Sequence, residues 1–434
     1  MHDLDSVKPK TILSLGPAWA GNSVNCVPFR ISGLITRRGV RYCSHYDPEG
    51  NVVVTRSASG NDILSRHVIA KSELPFDAHR AISIGLDSQN HLHVAFGAHD
   101  SQLLITRSTG SEPDSDFPPA APIENELGHH ISYPMFVSRF DGDQLVLLFR
   151  NGSAADAELR IKRFDITARR WRDDDYPIIT GRDPSSVRAG PYVNTPAYDG
   201  DGRAVLFIVW RLQSRSDPQA VNNTGIDCIV SYDNFRTIMN ANREPLRIPA
   251  TQSDRTKIIA IPPDASLMNQ GTSAVRKDGS MMFLTYWDDG DGFPQYRLGW
   301  QEGTAWRVTA ASRFGTSFAL RGPGTLPLPH SRPEILVAQD GRVHVIFRSR
   351  EYGNRLALLT LEPPEYDFGS ARSHILVDED LGFYEPVVDR TAWAQDGTLA
   401  IYVQRCEQHF DGDRNFHLSA AEAQLMMWGV EQFT

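Results

Sequence analysis

The stretch Asp340-Gly341-Arg342-Val343-His344-Val345-Ile346-Phe347-Arg348 reads as a tight turn feeding a strand. Asp-Gly accepts the positive φ that a two-residue hairpin requires. The run after it is rich in β-branched and aromatic residues, which fit a pleated, half-buried surface. The same unit recurs along the chain at Asp47-Pro48-Glu49-Gly50, Asp87-Ser88-Gln89-Asn90, Asp141-Gly142, Asp201-Gly202, Asp278-Gly279 and Asp396-Gly397. With Asp340-Gly341 that makes seven turns, whose last residues are 40, 52, 60, 77, 62 and 56 positions apart. Strand-like runs follow each of them: Val52–Val54, Leu92–Phe96, Leu145–Phe149, Val205–Trp210, Met281–Trp287, Val343–Phe347 and Leu399–Val403.

A unit of that length matches one four-stranded propeller blade plus a variable loop. Seven units exhaust the 434 residues, and no long helical periodicity competes with them. The expectation is an all-β, seven-bladed β-propeller forming one domain over residues 1–434. The tail run Ala423–Trp428 is expected to pair with the segment near Thr11-Ile12-Leu13 and close the ring. A β-sandwich or two smaller β domains is the alternative.

Composition bounds the function. Hydrophobic residues make up 41% and charged residues 22%, so the chain is globular rather than disordered. Lys+Arg is 44 against Asp+Glu at 53, a net charge of -9, which argues against a broad nucleic-acid surface. Apolar stretches such as Val205–Trp210 are far too short to span a bilayer. The start, Met1-His2-Asp3-Leu4-Asp5, lacks a basic region followed by an apolar core, so the expectation is a cytoplasmic protein, or a secreted or periplasmic one if a leader has been trimmed; a monomer is also expected. Cys26, Cys43, Cys228 and Cys406 form no CxxC pair and read as buried free thiols.

If each Asp-Gly turn joins a blade's first strand to its second, the start of the first and the end of the second lie at one end of the blade. That end collects His79 and His99 in blade two, Tyr133 and Arg150 in blade three, and Tyr192, Asn194 and Arg211 in blade four. Blade five adds Asn269, Gln270 and Asp288; blade six His330, Arg332 and Arg348; blade seven Tyr384, Glu385 and Arg405. Such convergence at a channel mouth suits a small polar ligand. His91 and His93 alternate along one strand without a third ligand and read as packing. Asp173-Asp174-Asp175 and Asp288-Asp289-Gly290-Asp291-Gly292 do not complete a calcium-loop spacing and read as solvated loops. No cofactor and no metal are expected.

The segments Gly21-Asn22-Ser23-Val24-Asn25, Asp77-Ala78-His79-Arg80-Ala81-Ile82-Ser83-Ile84-Gly85, Gly97-Ala98-His99, Ser132-Tyr133-Pro134-Met135-Phe136, Phe149-Arg150-Asn151-Gly152 and Tyr192-Val193-Asn194 resemble the BNR-type propeller lyases. These include ulvan lyases and rhamnose–glucuronate lyases. The resemblance runs in order from about residue 20 to 405. It implies that His79 and His99 flank the cleaved bond, that Tyr133 and Arg150 follow on the next blade, and that Tyr192 is a further site tyrosine. Some ulvan lyases carry a structural zinc held by His and Cys in the middle blades. Here no His occurs between His130 and His330, and Cys228 stands alone, so the residues give no basis for that zinc.

The expected reaction is β-elimination at a uronic acid. A cation on the carboxylate stabilises the enolate-like charge that develops at C5, and Arg150 suits that role through bidentate contact. A base takes the C5 proton and an acid protonates O4. His79, His99 and Tyr133 are the candidates, with Tyr192 in reserve. Asn194, Arg211, Gln270, Arg332 and Arg348 are the expected substrate-binding residues. The expected substrate is a uronic-acid-containing oligo- or polysaccharide with a rhamnosyl-(1→4)-glucuronate bond. An α-L-rhamnosidase and a non-catalytic carbohydrate-binding propeller are the alternatives on this fold.

Overall fold

A computed structural model describes residues 5–27, 32–58, 62–72, 75–124, 130–137, 144–174, 176–183, 187–214, 217, 219–254 and 257–433. Seven small antiparallel sheets stand around one axis as a seven-bladed β-propeller. In each blade the first strand is buried along its length, as in Ser83–Leu86, Ile131–Val137 and Thr272–Val275. The outermost strands, such as Ile63–Lys71 and Ala305–Ala310, are largely exposed.

The strands after the turns are continuous apolar runs because both their faces are covered. Val205 and Phe207 pack towards Met281 and Phe283 of blade five. Their alternates Leu206 and Ile208 pack towards Leu148 and Ile161 of blade three. Comparable clusters join blades one and two, two and three, and five and six. A last cluster joins blade six through Ile346 and Leu358 to blade seven through Ile401 and Met427, and on to Leu34 and Cys43 of blade one. The core is therefore a ring of interfaces. All four cysteines are buried within it and none is in a disulfide.

Ring closure is made by the ends of the chain. Strand Thr11–Trp19 is the outermost strand of blade seven, antiparallel to Ala420–Gly429, with Thr11 opposite Met427 and Leu13 opposite Leu425. The expected pairing of the two termini is what the structure contains.

Four of the seven turns act as expected. Asp87, Asp278 and Asp340 each accept the backbone N–H two residues on, and Asn90, Gly279 and Gly341 take positive φ. In blade four Asp199 accepts from Asp201 and Arg203 while Gly202 takes φ 75°. Asp141-Gly142 lies outside the described residues. Two turns differ. In blade one the first hairpin turns at Arg38-Gly39, with φ 50° and 76°, so Asp47–Gly50 joins the second strand to the third. In blade seven Gly397 ends a short helix, Arg390–Asp396, that Asp389 caps by accepting from Thr391 and Ala392. A capped helix replaces the hairpin there.

The closing blade is the place to test the ring. Trp428 is 1% exposed, and its indole donates to the carbonyl of Val7. Trp428→Ala is expected to cost about 3–5 kcal/mol, read from the denaturant midpoint. A loss under about 1 kcal/mol would show that this strand does not secure the ring.

Candidate active site

The chain enters blade two at Asp77, where the Asp77 carboxylate receives two histidines. Nδ1 of His79 lies 3.0 Å from its Oδ1, and Nδ1 of His99 lies 2.7 Å from its Oδ2. The two imidazoles stack with centroids 4.1 Å apart and planes 12° apart. Two loops from elsewhere in the chain reach the same point. Oδ2 of Asp411 lies 3.1 Å from Nδ1 of His79, and Oγ1 of Thr325 lies 3.2 Å from it. Neither Asp77 nor Asp411 was a candidate from sequence. Asp77 stood in a quoted segment two residues before His79, which was its only signal. Asp411 had none, since 333 positions separate it from its partner Ala78.

Blade three supplies the aromatic and the cation. The register between Ile131–Val137 and Val146–Ser153 breaks between Ser132 and Met135, and Tyr133 sits in the break at φ 56°. A bulky residue there costs about 1–3 kcal/mol, and the bulge re-aims its ring. The Tyr133 centroid lies 6.0 Å from His79 and 6.2 Å from His99. Arg150, 4% exposed, lays its guanidinium 4.6 Å from the Tyr133 ring and 4.7 Å from that of Tyr192. Its Nε and Nη1 are buried without a hydrogen-bond partner among the described residues. Arg211 covers Tyr192 at 4.7 Å, so two guanidiniums flank one phenol.

The remaining blades continue the ring. Arg211 donates to Asn223 and Asn269, the Asn269 carbonyl accepts from Arg332, and Arg332 pairs with Glu385 at 2.7 Å. Asn194 donates to the Thr272 carbonyl while its Oδ1 stays without a partner, as does Oε1 of Gln270. Arg348 does not join the pocket. Its guanidinium is engaged by the carbonyls of Tyr384, Pro329 and Leu328 and by Asn354, which makes it a clamp on the frame. Arg332, held by Glu385 and Asn269, joins the belt with its charge already matched. His330 stacks on Phe314 and bonds Ser349, so it too is framework. His93 pairs with Asp87 and packs on Phe164 and Trp171, and His91 faces the Ser108 carbonyl. Asp288 accepts from Gly290, Asp291 and Gly292 within its own loop, Asp173 and Asp174 pair with Lys162 and Arg163, and Asp175 lies outside the described residues.

The two histidines differ electrostatically. Burial acts to lower His79, but the hydrogen bonds and charges of Asp411 and Asp77 outweigh it and push the imidazole up to about 9. Burial lowers His99; Asp77 opposes this and the charge of His79 adds to the fall. Asp77, despite burial, is held well below the usual carboxylate range by the two histidines. His79 therefore stabilises the fold below an unfolded value of about 6.5 and loses that contribution as pH rises through about 9. The tyrosines also split. Burial and the neighbouring Tyr192 push Tyr133 up. Burial opposes ionisation of Tyr192 as well, but Arg150 and Arg211 overcome it and bring the phenol to about 8. Asp77, His79 and His99 each place a donor atom within 4.8 Å of the others. Both imidazoles use Nδ1 on Asp77, so one carboxylate holds the trio together by hydrogen bonds.

The fold and this cluster define a seven-bladed propeller with an ionisable His–Tyr–Arg cluster built from blades two, three and four. The chain belongs to the BNR repeat-containing family, whose profile matches residues 40–314. Among solved structures it is similar to an ulvan lyase, described as a new family of polysaccharide lyase, at 13% identity over 96% of both chains with a TM-score of 0.68. The same lyase bound to -[GlcA(1-4)Rha3S]- matches equally, at 13% identity, 96% of both chains and a TM-score of 0.68. At that identity the likeness is one of fold. No curated protein matches the chain.

An ultraviolet titration tests the electrostatics. One tyrosinate band is expected with a midpoint near 8, absent in Tyr192→Phe and moved upward in Arg211→Met. No tyrosine ionising below the ordinary range of about 10 would refute the two-cation arrangement.

Proposed function

We propose that this protein is a lyase that cleaves a rhamnosyl-(1→4)-glucuronate bond by β-elimination, leaving a 4,5-unsaturated uronic acid. The observation that carries the reading is Arg150. It is a buried guanidinium with two N–H groups unengaged and no carboxylate at ion-pair distance among the described residues, beside a neutral imidazole. Buried N–H donors left without an acceptor are costly unless a ligand supplies one. The C5 carboxylate of a uronic acid has the charge and the planar geometry to do so.

With that carboxylate on Arg150, the negative charge that develops at C5 and the carboxyl oxygens is stabilised where it forms. In a 4-linked β-D-glucuronate the C5–H and the C4–O bond lie on one face of the ring. Base and acid must then approach from the same side, and two imidazoles stacked at 4.1 Å do so. His99 donates Nδ1–H to Asp77, and its Nε2 is the base that takes the C5 proton. His79 holds a proton through neutral pH and delivers it to O4 as the rhamnosyl–oxygen bond to C4 breaks. Environments that push two like groups apart assign the acid and the base. Tyr133 and Tyr192 wall the pocket and sandwich Arg150. The ligand of the similar ulvan lyase contains the same pair of sugars, which supports this substrate class.

Hydrolysis would ask for two free carboxylates across the bond. Asp77 and Asp411 are engaged by His79, and Glu385 by Arg332. That favours elimination over a rhamnosidase.

Incubation with a rhamnosyl-glucuronate oligosaccharide is expected to raise ultraviolet absorbance as the unsaturated uronate forms. Arg150→Ala is expected to lower kcat about 10²–10³-fold, equivalent to about 3–4 kcal/mol. Release of free rhamnose without an absorbance rise would replace elimination by hydrolysis.

A further inference from the structure

Asp77 cannot decide which of its two histidines is charged, because it serves both, at 3.0 and 2.7 Å. Two imidazoles stacked at 4.1 Å disfavour double protonation, since like charges at that distance repel. Something else must break the symmetry. Asp411 is the carboxylate that stands on one side only. It comes from the loop between strands Thr398–Val403 and Ala420–Gly429, and its Oδ2 faces Nδ1 of His79 at 3.1 Å. Its Oδ1 accepts from Ala78 N–H at 3.0 Å, and its Oδ2 also accepts from Thr325 N–H at 2.7 Å. Two segments far apart in the chain, at Ala78-His79 and at Thr325, therefore fix this carboxylate beside His79.

We propose that Asp411 is a positioning residue that fixes the single proton of the histidine pair on His79, leaving His99 as the neutral partner. This rests on the acid and base roles proposed above and deepens them. Apart from Asp411 and the shared Asp77, no charged group among the described residues contacts Nδ1 of His79. Arg80 lies 3.5 Å from the same Asp77 oxygen that His99 uses, and its guanidinium also donates to the Gly97 carbonyl and Ser101. Tyr133 is nearly equidistant from the two rings. Arg150 acts against charge on His99, and the Tyr192 phenol interacts with His79. Thr325 adds a hydroxyl to His79 but no charge. Solvent access alone would place the charge on His99, whose side chain is 27% exposed against 9% for His79. Asp411 reverses that order.

The test is an NMR titration of histidine-labelled full-length protein, with the two signals assigned by His79→Gln and His99→Gln. It needs no substrate. In the wild type His79 is expected to titrate well above His99. In Asp411→Asn the His79 midpoint is expected to fall by more than about 2.5 pH units, from about 9 to below that of His99. Asp411→Glu, which keeps the charge, is expected to restore the wild-type order. An unchanged His79 midpoint in Asp411→Asn would overturn the proposal. Should that variant not fold, Asp77→Asn decides, because it removes the shared carboxylate and leaves Asp411. His79 is then expected to keep the higher midpoint, and convergence of the two would overturn the proposal. A wild type with the expected titration order but no unsaturated product would refute the lyase reading and leave the role of Asp411 standing.

Discussion

A four-stranded sheet buried on both faces cannot stand alone, and an open row of such sheets would end in two exposed apolar faces. The structure depends on removing those ends. Pairing of Thr11–Trp19 with Ala420–Gly429 places both ends of the chain in one blade and lets the cluster around Ile401, Met427 and Leu34 join blade seven to blades six and one. Once the ring is closed, the first strands are held around the axis and their entry points are fixed relative to one another. Groups from blades two, three and four can then meet at distances that chemistry requires, although they are far apart in sequence.

Within that frame, one shared carboxylate organises the pocket. Asp77 binds both histidines and thereby stacks them. Asp411 and burial then separate their proton affinities. A second separation follows at the tyrosines, where Arg150 and Arg211 act on Tyr192 from both sides while Tyr133 is left to its burial. The cluster thus holds a guanidinium with open nitrogens, an imidazole that keeps its proton and one whose proton affinity is lowered, each set by its neighbours rather than by residue type alone.

Much of this was legible in the sequence, and the limits have physical causes. Asp-Gly and Asp-x-x-Asn turns announce themselves because φ > 0 restricts residue choice. The blade-one hairpin was misplaced because Arg38-Gly39 carries its positive φ without the Asp or Asn cue. The helix Arg390–Asp396 was missed because seven residues are too few for periodicity, although Asp389 and Gly397 are its caps. The blade ends that hold His79, His99, Tyr133, Arg150 and Tyr192 could be read from strand polarity. Whether a guanidinium at such an end is available could not. Arg348 and Arg150 occupy equivalent places, yet one is engaged by three carbonyls and the other leaves two N–H groups open. Asp411 was beyond reach, since a loop residue meeting a partner across the ring leaves no local signal.

The central claim is that the C5–H bond breaks in the reaction that this pocket performs. The most direct measurement compares cleavage of a rhamnosyl-glucuronate oligosaccharide carrying deuterium at C5 with cleavage of the unlabelled sugar. Proton abstraction by His99 predicts a several-fold slower reaction for the deuterated substrate, with the label absent from the unsaturated product. Equal rates, with deuterium retained in a saturated product, would contradict the account.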